Sequence, residues 1–242
     1  MRVTAAGVVA DAAALARRDR ALLLAVAGPF WFLPAYALGL LLPAPPKLPP
    51  TADMPARAQV LAQWLTAQAP WYLLAFGLGL WGSATVYRLY LDETRPSVAT
   101  ALRRGAALWP RLLLASGLVA LMAGAGLLLW VLPGIYVLGR LLPAGPALAA
   151  EPRLSAIAAV ARAFRLTRGS GGALAVVTAA VLGIGWLAAE PLLLLEGWLR
   201  AQGDGGNPIA IAMVDAGAAA VSAATALASA LLAVSAYRRL VR

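Results

Sequence analysis

Four ionisable residues, Arg88, Arg140, Glu190 and Asp215, sit inside otherwise apolar stretches of this 242-residue chain, and chemistry would begin with them. A charge at the centre of a hydrocarbon layer costs about 3 kcal/mol on insertion scales unless it is paired or hydrated. An arginine with two carboxylates has two uses at such a depth. It can tie helices together as an ion pair, or it can line a polar cavity for a lipid headgroup, an ion or a proton relay. Arg88 lies near the end of its apolar block, where a long side chain reaches back to water, so it drops out. The candidate intramembrane cluster is therefore Arg140, Glu190 and Asp215.

Other chemistries find little support. The chain has no Cys and no His. That removes thiol nucleophiles, disulfides and Fe–S clusters, and with them the usual zinc ligand and the commonest general base. Gly203 to Gly206 has neither a preceding strand nor a following Lys-Ser/Thr, so it is no phosphate-cradling loop. Ser170 lies between glycines but has no His partner. Two carboxylates alone do not make a glycosidase site. The expectation is no catalytic residue, no cofactor and no metal.

The elements that must position the cluster are long and apolar. Hydrophobic residues make up 62% of the chain and charged ones 12%, against about a quarter charged in soluble proteins. A spanning helix needs about 20 apolar residues. Such blocks run from Ala21 to Leu42, Pro70 to Leu91, Arg111 to Leu132, Ile135 to Ala150, Gly171 to Leu195 and Ile209 to Tyr237. The fold class is an all-α polytopic bundle of about six spans in a single membrane domain. Pro29 and Pro34 predict a kink in the first span. Ala35-Tyr36-Ala37 formally matches a signal-peptidase site, but the long charged lead and bulky Trp31 and Phe32 favour a retained helix. A mildly amphipathic stretch from Pro55 to Gln68 is expected at the outer surface. The polar run from Arg200 to Pro208 is expected to be an outer loop.

Charge orients the bundle. With six spans, sixteen of the twenty basic residues fall on one side: Arg2, Arg17, Arg18, Arg20, Arg88, Arg95, Arg103, Arg104, Arg111, Arg153, Arg162, Arg165, Arg168, Arg238, Arg239 and Arg242. Lys47, Arg57 and Arg200 fall on the other. The positive-inside bias puts both termini in the cytoplasm. The net charge of +10 thus reads as membrane topology, with no nucleic-acid partner implied. The Arg and Ala bias points to a GC-rich bacterial genome and hence an inner membrane.

Counted along the helices, Arg140 lies roughly 9 Å below a turn at Pro133-Gly134, and Asp215 a similar six residues into the last span. Glu190 stands roughly 30 Å above the start of its span. All three would share the outer leaflet. On the inner side, the segments 97–109 and 155–166 each start with a Ser able to cap a helix and carry apolar residues at helical spacing. The stretch from Asp11 to Arg20 is a looser copy. Each is expected to lie on the inner surface as an amphipathic helix feeding a hairpin, its arginines meeting anionic lipid headgroups. Gly117, Gly124, Gly126, Gly183, Gly185 and the Ala-rich face from Ala218 to Ala230 are expected at helix contacts. Ser222, Thr225, Ser229 and Ser235 are expected to bond across helices.

One stretch resembles a known family. Pro133-Gly134-Ile135-Tyr136, then Arg140, Glu151 and Leu166-Thr167-Arg168-Gly169, is similar to a pattern in YciC-like membrane proteins. The same pattern occurs in the membrane domain attached to some bacterial glycerophosphodiester phosphodiesterases. The resemblance implies a six-helix inner-membrane fold. It does not imply the phosphodiesterase activity, which belongs to a separate soluble domain. Two functions remain open: a non-catalytic scaffold, envelope-homeostasis factor or accessory subunit of a larger membrane complex, and a small transporter or lipid-handling protein using the polar cluster.

Overall fold

The computed structural model describes residues 3–43, 46, 53–92, 94, 96–201 and 207–242. Arg2, Lys47, Arg95, most of the proline run 43–50 and the loop 202–206 lie outside them. Among the described residues every regular element is a helix. In order these are α1 (Ala5–Arg18), α2 (Arg20–Ala27), α3 (Leu33–Leu41), α4 (Met54–Leu91), α5 (Val98–Leu129), α6 (Val131–Leu141), α7 (Ala144–Ala150), α8 (Ala156–Leu166), α9 (Gly171–Ala201) and α10 (Pro208–Val241).

The helix starts follow the sequence. Thr4, Asp53, Ser97, Ser155 and Asn207 each accept a backbone N–H of the first turn and so satisfy donors that have no intrahelical partner. Internal prolines behave differently from one another. Pro29 falls in a π-helical turn, Gly28–Phe32, which joins α2 to α3 with one extra residue per turn instead of a break. Pro70 and Pro110 are carried inside α4 and α5. The expected outer helix 55–68 therefore continues directly into the stretch 70–91 within α4. The expected surface helix 97–109 is likewise the first part of α5.

Five helical stretches are long and apolar enough to cross a membrane: Arg20–Leu41, Val98–Leu128, Val131–Ala150, Gly171–Ala201 and Pro208–Val241. This is a membrane protein. The expected second span is missing from that set because Trp, Tyr, Gly and Ser dilute the apolar residues of α4 between positions 70 and 91. That part of α4 nevertheless runs alongside the first span. At one end Tyr90 donates to Asp19, just before α2, at 2.9 Å. At the other, Gln68 and Trp71 share an apolar cavity of about 390 Å³ with Leu41, Leu42 and Pro43.

The centre of the bundle is the second half of α10, where Ala230 to Tyr237 are all buried. They pack with Val8 and Leu15 of α1, Leu23 and Val26 of α2, Val86 of α4, and Leu174 and Val177 of α9. A second cluster joins Ala84, Leu108, Leu112, Leu148 and Ala159. Hydrocarbon offers no hydrophobic drive for helices to associate, so close packing of small residues must supply the contact. Gly126 meets the Gly134 backbone, Gly139 meets Ala175, and Gly185 meets Thr225. Gly117, Gly124 and Gly183 have open space beside them and make no such contact. Large apolar side chains cover the outside, among them Leu114, Leu121, Leu128, Ile184, Trp186 and Leu194. So large an apolar exterior suits lipid rather than water.

Candidate functional site

Arg140 stands one residue before the end of α6. Its Nε donates to Thr167 Oγ1 at 3.1 Å, and its Nη2 donates to the Phe164 carbonyl. The guanidinium lies 4.9 Å from the Phe164 ring centroid and 5.9 Å from that of Tyr136. Its partners are therefore the C-terminal end of α8, where the last carbonyls lack intrahelical donors. Thr167 is completely buried and returns its hydroxyl to the Ala163 carbonyl at 2.8 Å. Gly169, at φ 88°, turns the chain from α8 into α9, a conformation only glycine adopts without strain. Arg140 and Tyr136 press on Gly171, the first residue of α9.

This corrects the expected cluster. Arg140 does not meet Glu190 or Asp215; it sits beside the start of α9, at the opposite end of that helix from Arg200. The depth count took Pro133-Gly134 as the turn. The chain instead turns at Trp130, and α6 is an 11-residue helix that ends just past Arg140, the stretch to Ala150 being completed by α7. After Pro143, α7 continues into the interior, with Ala144, Pro146, Ala147, Leu148 and Ala149 buried.

Asp215 does have a charged partner, but a different one. Its side chain is 2% exposed, and its Oδ2 lies 3.4 Å from Arg200 Nη2. Arg200 also holds Glu196 one helical turn earlier, at 2.7 Å, and donates to the Gly39 carbonyl of α3 at 3.2 Å. Gly39 lets α3 approach closely, since a Cβ there would lie 3.2 Å from the Asp215 carboxyl carbon and push it aside. One guanidinium thus joins α3, α9 and α10. The i, i+4 spacing of Glu196 and Arg200 was visible in the sequence. The apolar block ends at Leu195 and the polar run from Arg200 reads as loop, whereas α9 extends to Ala201 and keeps both residues on one helix. Glu190 is half-buried on α9 and makes no ion pair among the described residues.

The other motif positions gather around α8. Pro133 and Gly134 lie in the first turn of α6, and Arg168 is exposed in the turn after α8. Glu151 accepts from Arg162 Nε at 2.5 Å and from the Tyr237 hydroxyl at 3.3 Å, joining the α7–α8 link to α10. Arg88 donates to the Ala149 carbonyl at 2.8 Å, and Arg111 to the Pro152 carbonyl. The arginines of this end thus hold the carbonyls that close α7. Further round, Arg239 grips Asp11 of α1 through two bonds, at 2.6 and 2.9 Å. Arg104 pairs with Asp92, and Arg238 donates to the Tyr90 carbonyl. The Arg239 bond holds the Asp11 carboxyl below its ordinary range. The Arg18 bond does the same for Asp19, and the Thr94 hydroxyl, with Arg104, for Asp92. The bonds of Arg88, Arg111, Arg238 and Arg239 could not be read from spacing, because each joins segments far apart in the chain.

The hydroxyls expected to bridge helices mostly do not. Thr225 and Ser229 donate to the carbonyls of Val221 and Thr225 in their own helix, each at 2.8 Å. Among the described residues no group of His, Cys, Asp or Glu is placed to hold a metal ion. No family model, curated protein or solved structure matches the chain.

Proposed function

We propose that the chain is a non-catalytic, six-span protein of a bacterial inner membrane, of the YciC-like kind, serving as a scaffold or accessory subunit of a larger membrane complex. The observation that carries this reading is how the charged groups of the helices are used. Arg88, Arg140, Arg200 and Asp215 are all engaged with other helices or with helix-end carbonyls. They act as ties, and the outward surface they support is apolar. In support of six spans rather than five, residues 70–91 of α4 lie beside the first span, from the Tyr90–Asp19 bond to the cavity shared by Gln68 and Leu41. Both termini then share the arginine-rich side, which the positive-inside bias assigns to the cytoplasm.

The test is extraction of the tagged chain from its own membranes into lipid nanodiscs, followed by mass measurement. A scaffold brings a partner in fixed ratio, and Arg140→Ala or Asp215→Asn lowers its abundance and unfolding temperature together. The rival reading, a small transporter using the outer polar group of Glu196, Arg200 and Asp215, predicts otherwise. There the chain is recovered without a protein partner, and Asp215→Asn abolishes solute flux in proteoliposomes while the unfolding temperature is unchanged.

A further inference from the structure

Where α1 meets the last turns of α10 there is a cavity of about 220 Å³. Asp11 and Leu15 line it from α1, and Ser235, Arg238, Arg239 and Arg242 from α10. The spacing 235, 238/239, 242 puts these four residues on one face of the helix. Three guanidinium groups and one carboxylate thus face a small polar space. The carboxylate, Asp11, is already committed to Arg239. Arg238 is fixed at its rim by the Tyr90 carbonyl and lies 5.8 Å from the Tyr90 ring centroid.

The independent observation is Ser235. It is 1% exposed, and among the described residues its Oγ has no hydrogen-bond partner. Hydroxyls in membrane helices ordinarily donate to the carbonyl four residues back, as Thr66, Ser83, Thr85, Thr225 and Ser229 do here. Ser235 does not; nor does Thr178 of α9, but Ser235 alone of the two lines an arginine-bearing cavity. A buried hydroxyl left without a partner costs more than an ordinary bond gains, so its persistence beside arginines calls for an acceptor in the cavity. Guanidinium forks and a hydroxyl donor together match the oxygens of a phosphate group. Arg238 and Arg242 also line an adjoining open cavity of about 1110 Å³, which has room for the remainder of a larger molecule.

We propose that this cavity is a binding site for a phosphate-bearing anion, the headgroup of an anionic phospholipid, held by Ser235 Oγ and Arg242 with Arg238 at the rim. The choice of a lipid rests on the reading above that the arginine-rich end faces the inner leaflet. The phosphate chemistry itself does not depend on it.

The experiment is thermal unfolding of the purified full chain in detergent, titrated separately with phosphatidylglycerol, phosphatidylcholine and inorganic phosphate. Four forms are compared with the unmodified chain: Ser235→Ala, Arg242→Gln, and the controls Arg17→Gln and Arg20→Gln, whose side chains are exposed outside the cavity. Phosphatidylglycerol is expected to raise the unfolding temperature and phosphatidylcholine not to. The half-saturating amount should rise about fivefold in Ser235→Ala, the worth of one hydroxyl bond. It should rise tenfold or more in Arg242→Gln, roughly the worth of a charged bond, and stay unchanged in the two controls. The same variant pattern with inorganic phosphate would also support the site and assign it to a free anion. Equal weakening in controls and cavity variants would overturn the site while leaving a general attraction to anionic lipid intact. So would unaltered protection in Ser235→Ala and Arg242→Gln. Protection by neither phosphatidylglycerol nor phosphate would overturn both.

Discussion

The two ends of the bundle hold their charges in opposite ways. At the arginine-rich end many pairs link distant segments, and most are partly wet: the Asp11 and Arg239 side chains are 47% and 35% exposed. At the other end, among the described residues, a single cluster does the tying, around an Asp215 side chain that is 2% exposed. Exposed ion pairs contribute between zero and about 1 kcal/mol each. Breaking a buried one by removing one partner leaves a stranded charge and costs roughly 3–5 kcal/mol. The difference teaches that the arginine-rich end is a distributed clasp, tolerant of single losses, while the opposite end depends on one guanidinium.

Arg200→Ala should therefore have the largest effect, destabilising by about 3 kcal/mol in a denaturant titration of the detergent-solubilised chain. Asp215→Asn should cost distinctly less, because it removes the buried charge instead of orphaning it. If the two cost the same, the buried pair is not what holds α3, α9 and α10.

Arg140→Ala comes next, at about 2 kcal/mol, from lost bonds to Thr167 and Phe164 and the lost ring contacts. Thr167→Val should cost about 1 kcal/mol, and the double variant less than the sum, since the two residues share one bond. Strict additivity would contradict the clasp of α6 on α8.

The smallest effect belongs to the outermost pair. Asp11→Asn should lower stability by under about 1 kcal/mol. Because the folded-state Asp11 carboxyl is held below its ordinary value, its contribution is fully present above about pH 4. It is lost only as pH falls through the lowered folded value. An unfolding-temperature profile should show Asp11→Asn converging on the parent chain below about pH 4 and differing above it. A constant gap across that range would remove the pair from the account.

Much of the architecture was legible because lipid leaves the backbone little choice. The apolar blocks and the Ser caps at 97 and 155 read directly from residue type. The breaks did not. Blocks that start at Pro70 and Arg111 suggest helix ends there, yet Pro70 and Pro110 are both carried within continuous helices. The cluster of Arg140, Glu190 and Asp215 failed for a related reason. Depth counted along a chain assumes straight, full-length spans, and α6 ends just past Arg140. Asp215 needs a partner because burial of a charge demands one, but apolarity stops at Leu195 and so gives no sign that α9 runs on to carry Arg200 to it. Ser235 was marked as a hydroxyl able to bond; that it alone in its helix leaves its hydroxyl in an arginine-lined cavity needed the packing of α1.

The central claim is that the two ends lie on opposite faces of a membrane with six crossings between them. Compartment-specific reporters placed at the N-terminus, at position 153, at position 204 and at the C-terminus test it most directly. The account predicts that the two termini and position 153 report the cytoplasm and position 204 the opposite side. Termini on opposite faces, as five crossings require, or position 204 on the same face as 153, would contradict it.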